Sequence, residues 1–182
     1  APVSNGGSAI TDYVIRYATA ATPTSWTTFS DTVSTSTSVT VTGLANGTAY
    51  VFSVAAKNAV GTGSYSTNSS SVTPFTLPNA PTSVSASTGA RQSNVTWTAP
   101  VSNGGSAITG YAIRYSTNTG STWSTPVLTG SSATSFVVTG LTVTTSAHYF
   151  QVATINIAGQ SGWSANSPFV YIQDYAAAPT GV

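Results

Sequence analysis

The sequence predicts an all-β chain, two antiparallel sandwiches in tandem, and three observations carry that prediction. Residues 1–11 read APVSNGGSAIT and residues 99–109 read the same, an identity over 11 positions at a shift of 98. A repeat of that length is one domain, so the chain holds two copies. Within each copy, apolar and aromatic residues alternate with polar ones, the period-two pattern of a strand with one face buried. Asparagine and glycine clusters separate these runs, and no stretch carries a helical apolar stripe over three turns.

In chain order, Asn5-Gly6-Gly7 supplies the first turn, because these residues tolerate the positive φ of tight strand connections. Tyr13-Val14-Ile15-Arg16-Tyr17 reads as a strand rich in β-branched and aromatic residues, and returns as Tyr111-Ala112-Ile113-Arg114-Tyr115. Trp26 is answered by Trp123 and Leu44 by Leu141. After the Asn46-Gly47 turn, Tyr50, Phe52, Val54 and Ala56 alternate with Val51, Ser53, Ala55 and Lys57. Pro74-Phe75-Thr76-Leu77-Pro78-Asn79-Ala80-Pro81 reads as a linker stiffened by proline, which restricts φ. Val95-Thr96-Trp97-Thr98 is a further strand, followed by the Asn103-Gly104-Gly105 turn. Phe150 and Val152 alternate with Gln151 and Ala153, and Asn156 and Gly159 match Asn58 and Gly61.

The run Leu44-x-Asn46-x-Thr48-x-Tyr50-x-Phe52-x-Val54-x-Ala56-x-Asn58-x-x-Gly61 resembles the E–F corner and F strand of fibronectin type III domains. In that corner the tyrosine ring packs in the core while its hydroxyl bonds a backbone group upstream. Trp97 is similar to the family's core tryptophan on strand B, and Tyr111-x-Ile113-x-Tyr115 to its strand C. The resemblance covers nearly the whole chain and implies two immunoglobulin-like sandwiches. The expected boundaries are an N-terminally incomplete domain over 1–75, a linker over 76–81, a complete domain over 82–175 and the start of a further repeat over 176–182.

Two departures stand out. The second corner is one residue longer, so His148 stands where Tyr50 stands in the first copy; either His148 fills the corner or a bulge lets Tyr149 reach it. Residue 1 corresponds to residue 99, so the first copy lacks the equivalents of residues 81–98, its A and B strands. Either the sequence is a window on a longer array, or strands are exchanged between copies.

Composition narrows the chemistry. Only Arg16, Lys57, Arg91, Arg114, Asp12, Asp31 and Asp174 are charged at neutral pH, whereas 29 serines and 33 threonines carry hydroxyls. A net charge of +1 gives no basic field to hold nucleic acid or an anionic membrane. Without cysteine there is no disulfide framework and no thiolate metal site. No run approaches the ~18 apolar residues of a membrane helix. Glycoside hydrolysis usually needs two carboxyl groups flanking a bond, and the second copy has only Asp174. The sole histidine, His148, suits a core or corner role better than a nucleophile triad. No catalytic residue, metal or cofactor is expected, and Tyr50, Trp97 and His148 are expected to be structural.

Arg16 and Arg114 hold the same strand position in the two copies, beside Tyr17 and Tyr115. They form either a binding face that recurs every repeat, or solvent-facing arginines whose stems cover apolar surface and stack on a neighbouring ring. Trp26 and Trp123 pose the same choice between a platform for sugar stacking and edge packing. The expected function is a non-catalytic structural or adhesive repeat of a long secreted or cell-surface protein. Its expected partners are copies of itself in a fibre, sheath or virion, because a surface almost without ions packs on itself with little charge desolvation. The alternative is a polysaccharide-binding or spacer module attached to a secreted enzyme. Near-identity between copies, with serine- and threonine-rich surfaces, resembles the tandem repeats of bacterial surface proteins, and the same module also decorates phage virions.

Overall fold

The computed structural model describes residues 1–174, and all its regular elements are strands. The expected further repeat at 176–182 lies outside the described residues. The chain divides into two units, the first over Ala1–Pro74 and the second from Phe75 onward.

In the first unit, β1 (Ile10–Thr19), β2 (Thr27–Thr28) and β3 (Tyr50–Asn58) form one antiparallel sheet in the order β2-β1-β3. The register sets Arg16 opposite Thr28 on one side and Ser53 on the other. Because side chains alternate across a strand, Tyr13, Ile15 and Tyr17 share one face with Tyr50, Phe52 and Val54. Arg16 and Ser53 share the opposite face.

The outer edge of β3 is closed by an irregular segment. Ser66 and Ser69, three residues apart, face Val54 and Phe52, two residues apart. Each serine N–H donates to the strand carbonyl at 2.9 Å. Each serine Oγ accepts the strand N–H, from Val54 at 3.2 Å and from Phe52 at 3.0 Å. The hydroxyl thus supplies the acceptor that a stretched, period-three backbone cannot place in register.

The second unit has two sheets. One contains β4 (Thr82–Gly89), β5 (Gln92–Thr98) and β8 (Ser135–Thr139) in the order β4-β5-β8. The other contains β6 (Gly110–Ser116), β7 (Val127–Leu128), β9 (Tyr149–Asn156) and β10 (Gly159–Gln160) in the order β10-β9-β6-β7. Alternation buries Ser93, Val95 and Trp97 of β5 and leaves their neighbours exposed. These meet Tyr111 and Ile113 of β6 and Phe150 and Val152 of β9 in a single core. The Trp97 and Tyr111 rings meet edge-on at 4.9 Å. Each such side chain contributes ~1.5–3 kcal/mol on burial, so this two-sheet core is the main stabilising term.

Residues 76–81, read as a linker, are part of the second unit. Thr76 N–H donates to Gly104 O at 2.8 Å, and Asn79 N–H to Ser102 O at 2.9 Å. Asn156 Nδ2 donates to Thr76 O at 2.9 Å and to Asn103 O at 2.8 Å, and Pro78 and Pro81 are buried. The physical reason is that this backbone finds hydrogen-bond partners on the Asn103-Gly104 turn, which a free joint would leave to water.

Candidate functional site

The feature that recurs in both units is an arginine held between two aromatic rings. In the second unit β6 carries Arg114 outward, opposite the core. Its guanidinium lies 4.5 Å from the Trp123 ring centroid and 4.2 Å from that of Trp163. In the first unit Arg16 lies 4.2 Å from Trp26 and 3.7 Å from Tyr65. Trp26 and Trp123 come from the loops leading into β2 and β7, and Tyr65 and Trp163 from the irregular edge segments. All four rings are within cation–π range.

The two stacks differ in their polar partners. Arg114 Nε and Nη2 donate to Gln151 Oε1 at 3.0 and 2.6 Å, and Gln151 Nε2 donates to Asn166 Oδ1 at 2.9 Å. Burial pulls the Arg114 pKa below its ordinary value. At Gln151's place the first unit has Ser53, whose hydroxyl donates instead to Ser66 O, and Arg16 Nε is buried without a partner.

Tyr17 and Tyr115, placed with the arginines on the expected interaction surface, lie on the other face. Neighbouring strand residues point to opposite sides, so both rings turn to the core. Tyr17 meets Tyr50 at 5.9 Å and Phe52 at 6.4 Å; Tyr115 meets His148 at 5.8 Å and Phe150 at 6.2 Å. Sequence reasoning also missed Tyr65, Trp163 and the serines that position them. The signal was present: Tyr65-Ser66-x-x-Ser69 recurs as Trp163-Ser164-x-x-Ser167 at the repeat shift. In the second unit Ser161, Ser164 and Ser167 bond Thr154, Val152 and Phe150 through both N–H and Oγ, at 2.9–3.0 Å.

The corner residues are buried in both units. Tyr50 is buried and its hydroxyl accepts the Ala45 N–H at 3.1 Å. His148 takes the same place in the second unit, bridging Val170 as Tyr50 bridges Val72. It is fully buried, and neither ring nitrogen has a hydrogen-bond partner. Tyr149 points away from the corner and meets Phe169 at 6.3 Å.

Among the described residues no three His, Cys, Asp or Glu side chains cluster where they could hold a metal ion. Among the same residues no helix is long and apolar enough to cross a membrane.

Two solved structures share the fold. A crystal structure of titin domains is 24% identical with a TM-score of 0.56, over 90% of this chain and 55% of that one. The crystal structure of chicken CNTN1 FN1-FN3 domains is 22% identical with a TM-score of 0.50, over 94% of this chain and 59% of that one. The chain thus spans between half and three-fifths of the length of these two structures. Residues 1–72 and 79–170 each match the Fibronectin type III domain, and the chain belongs to that family as two domains in tandem.

Proposed function

We propose that this chain is a non-catalytic structural or adhesive repeat module of a long bacterial extracellular or virion protein, which packs against copies of itself in a fibre or sheath. The observation that supports this reading is the surface: seven charges on 182 residues, with hydroxyls in their place. A face of threonine, serine and isolated apolar side chains loses little hydration energy when it meets its own copy, whereas buried charges cost several kcal/mol each. Val3 and Val101, equivalent positions of the two units, are both exposed essentially in full, at 109% and 96%. They sit at a turn that every repeat of this type would present.

The polysaccharide reading draws on Trp26 and Trp123. Both are partly buried, and the guanidinium covers one face of each ring, which leaves less flat surface for a sugar. That favours assembly over sugar binding. Sedimentation of the purified chain up to millimolar concentration, with electron microscopy of the native source, tests the proposal. Self-association and a fibre or sheath are expected. A monodisperse monomer with no fibre in the source would overturn it, and saturable glycan binding lost on Trp26→Ala and Trp123→Ala would establish the alternative.

A further inference from the structure

A sheet edge presents a row of backbone donors and acceptors, and folded chains blunt such edges with proline, charge, bulges or very short strands. The edges of the second unit are blunted in these ways, with one exception. β4 follows Pro81 and carries a bulge between Thr82 and Ser85, where Ser83 takes a φ of 53°. β7 is two residues long and follows Pro126. Beyond β9, the segment from Ser161 to Val170 bonds the strand through every third residue and contains Pro168, so it offers no regular ladder on its far side.

The exception is β8. Ser135-Phe136-Val137-Val138-Thr139 pairs with β5 without a register shift, from Thr96 opposite Ser135 to Gln92 opposite Thr139. It contains no proline, glycine or charged residue. Trp97 N–H donates to Thr134 O at 3.1 Å, which sets an alternation in which Phe136 and Val138 turn their backbone groups to β5. The N–H and C=O groups of Ser135, Val137 and Thr139 therefore point the other way, and among the described residues nothing pairs with them. At the middle of this row the Val137 side chain is 44% exposed.

We infer that β8 is the edge through which copies of this chain join, each pairing its own β8 antiparallel with that of a second copy. This contact rests on the reading that copies pack against one another, and it names the element that joins them. Self-complementarity selects the second copy as the occupant. A two-fold axis at Val137 sets that residue opposite its own counterpart and Ser135 opposite Thr139 of the second copy. Each facing pair then exchanges both N–H···O bonds. On the outer face valine meets valine and hydroxyl meets hydroxyl, both favourable cross-strand pairs. No like charges oppose one another, because β8 carries none. The sheet β4-β5-β8 thus runs on into its copy, drawing affinity from backbone bonds and specificity from alternate side chains.

Hydrogen exchange of the full chain, compared between micromolar and millimolar concentration, tests this contact. The Ser135, Val137 and Thr139 amides are expected to slow by at least ~10-fold at the higher concentration, whereas Phe136 and Val138, already bonded to β5, keep their rates. Val137→Pro removes the central outward donor and leaves the β5 ladder intact, as proline does on an edge strand. Val137→Lys reaches the same end by another route, placing like charges opposite each other at the axis. Each is expected to weaken association in sedimentation by at least ~10-fold, while Val137→Thr retains it. Urea unfolding of the second unit separates such a loss from misfolding. Association that persists in both variants, with Ser135, Val137 and Thr139 unprotected, would overturn the inference and leave the self-packing reading standing. A wild-type chain that stays monomeric at millimolar concentration would overturn that reading, and this contact with it.

Discussion

The Tyr50 hydroxyl accepts the Ala45 N–H at 3.1 Å, tying the start of β3 to the loop five residues before it. Tyr50→Phe keeps the ring and deletes only this bond. A single net hydrogen bond is worth ~1 kcal/mol, so that much loss in the first unit is expected, with a faster-exchanging Ala45 amide and an unchanged second unit. Urea unfolding with residue-resolved hydrogen exchange measures both.

His148, in the same place, makes the opposite arrangement. Burial pushes its pKa down from 6.5, and the nearby Ser146 backbone offsets part of that. The sign follows from linkage. As pH falls below about 6.5 the unfolded chain takes up a proton that the folded chain does not, so stability falls with pH in that window. One group can contribute at most one proton to this slope, a ceiling of about 1.4 kcal/mol per pH unit. Above the unfolded value the penalty is absent. His148→Phe removes two buried, unpartnered polar atoms at similar volume. It is expected to be neutral or stabilising at pH 7 and to remove the acid-side slope of the second unit's unfolding.

The two arginine stacks predict different couplings. Arg114 bonds Gln151 through two donors, whereas Arg16 faces Ser53, whose hydroxyl is engaged elsewhere. A double-mutant cycle of Arg114→Leu with Gln151→Ala should give a coupling of ~1–2 kcal/mol, reflecting charge-assisted hydrogen bonds. The cycle of Arg16→Leu with Ser53→Ala should give little beyond error. Arg114→Lys keeps the charge but loses the planar fork, so it should retain only part of the stabilisation.

The strands and the repeat were legible because they rest on periodicity, and periodicity survives in a single sequence. Alternation also separates Arg16 from Tyr17 and Arg114 from Tyr115, yet adjacency in sequence drew those pairs onto one surface. The edge segments were harder to read. Their serines recur every third residue while the strand beside them repeats every second, a match that exists only once both backbones are placed together. The Ala90–Arg91 turn between β4 and β5 carries no glycine, and Arg91 takes a φ of 52°. Its N–H donates to Gln173 O at 2.8 Å, its carbonyl accepts the Leu141 N–H at 3.0 Å, and its side chain pairs with Asp174 at 3.0 Å. Tertiary contacts hold a turn that local sequence does not announce. The linker misled for a related reason: prolines describe stiffness, not the surface that the segment lies on.

Gly6 and Gly104 give the sharpest comparison between the units. Both have positive φ, so alanine at either costs ~1–2 kcal/mol in backbone conformation. At Gly104 an added Cβ would collide with Thr76 O and crowd Leu77 O at 2.8 Å. Displacing that backbone costs a further ~1–3 kcal/mol, and it breaks the Thr76–Gly104 hydrogen bond. At Gly6 the nearest atom to such a Cβ is Asn58 Nδ2, at 3.8 Å, an ordinary contact. Gly104→Ala should therefore destabilise its unit clearly more than Gly6→Ala does, with the excess read from urea midpoints of the two transitions.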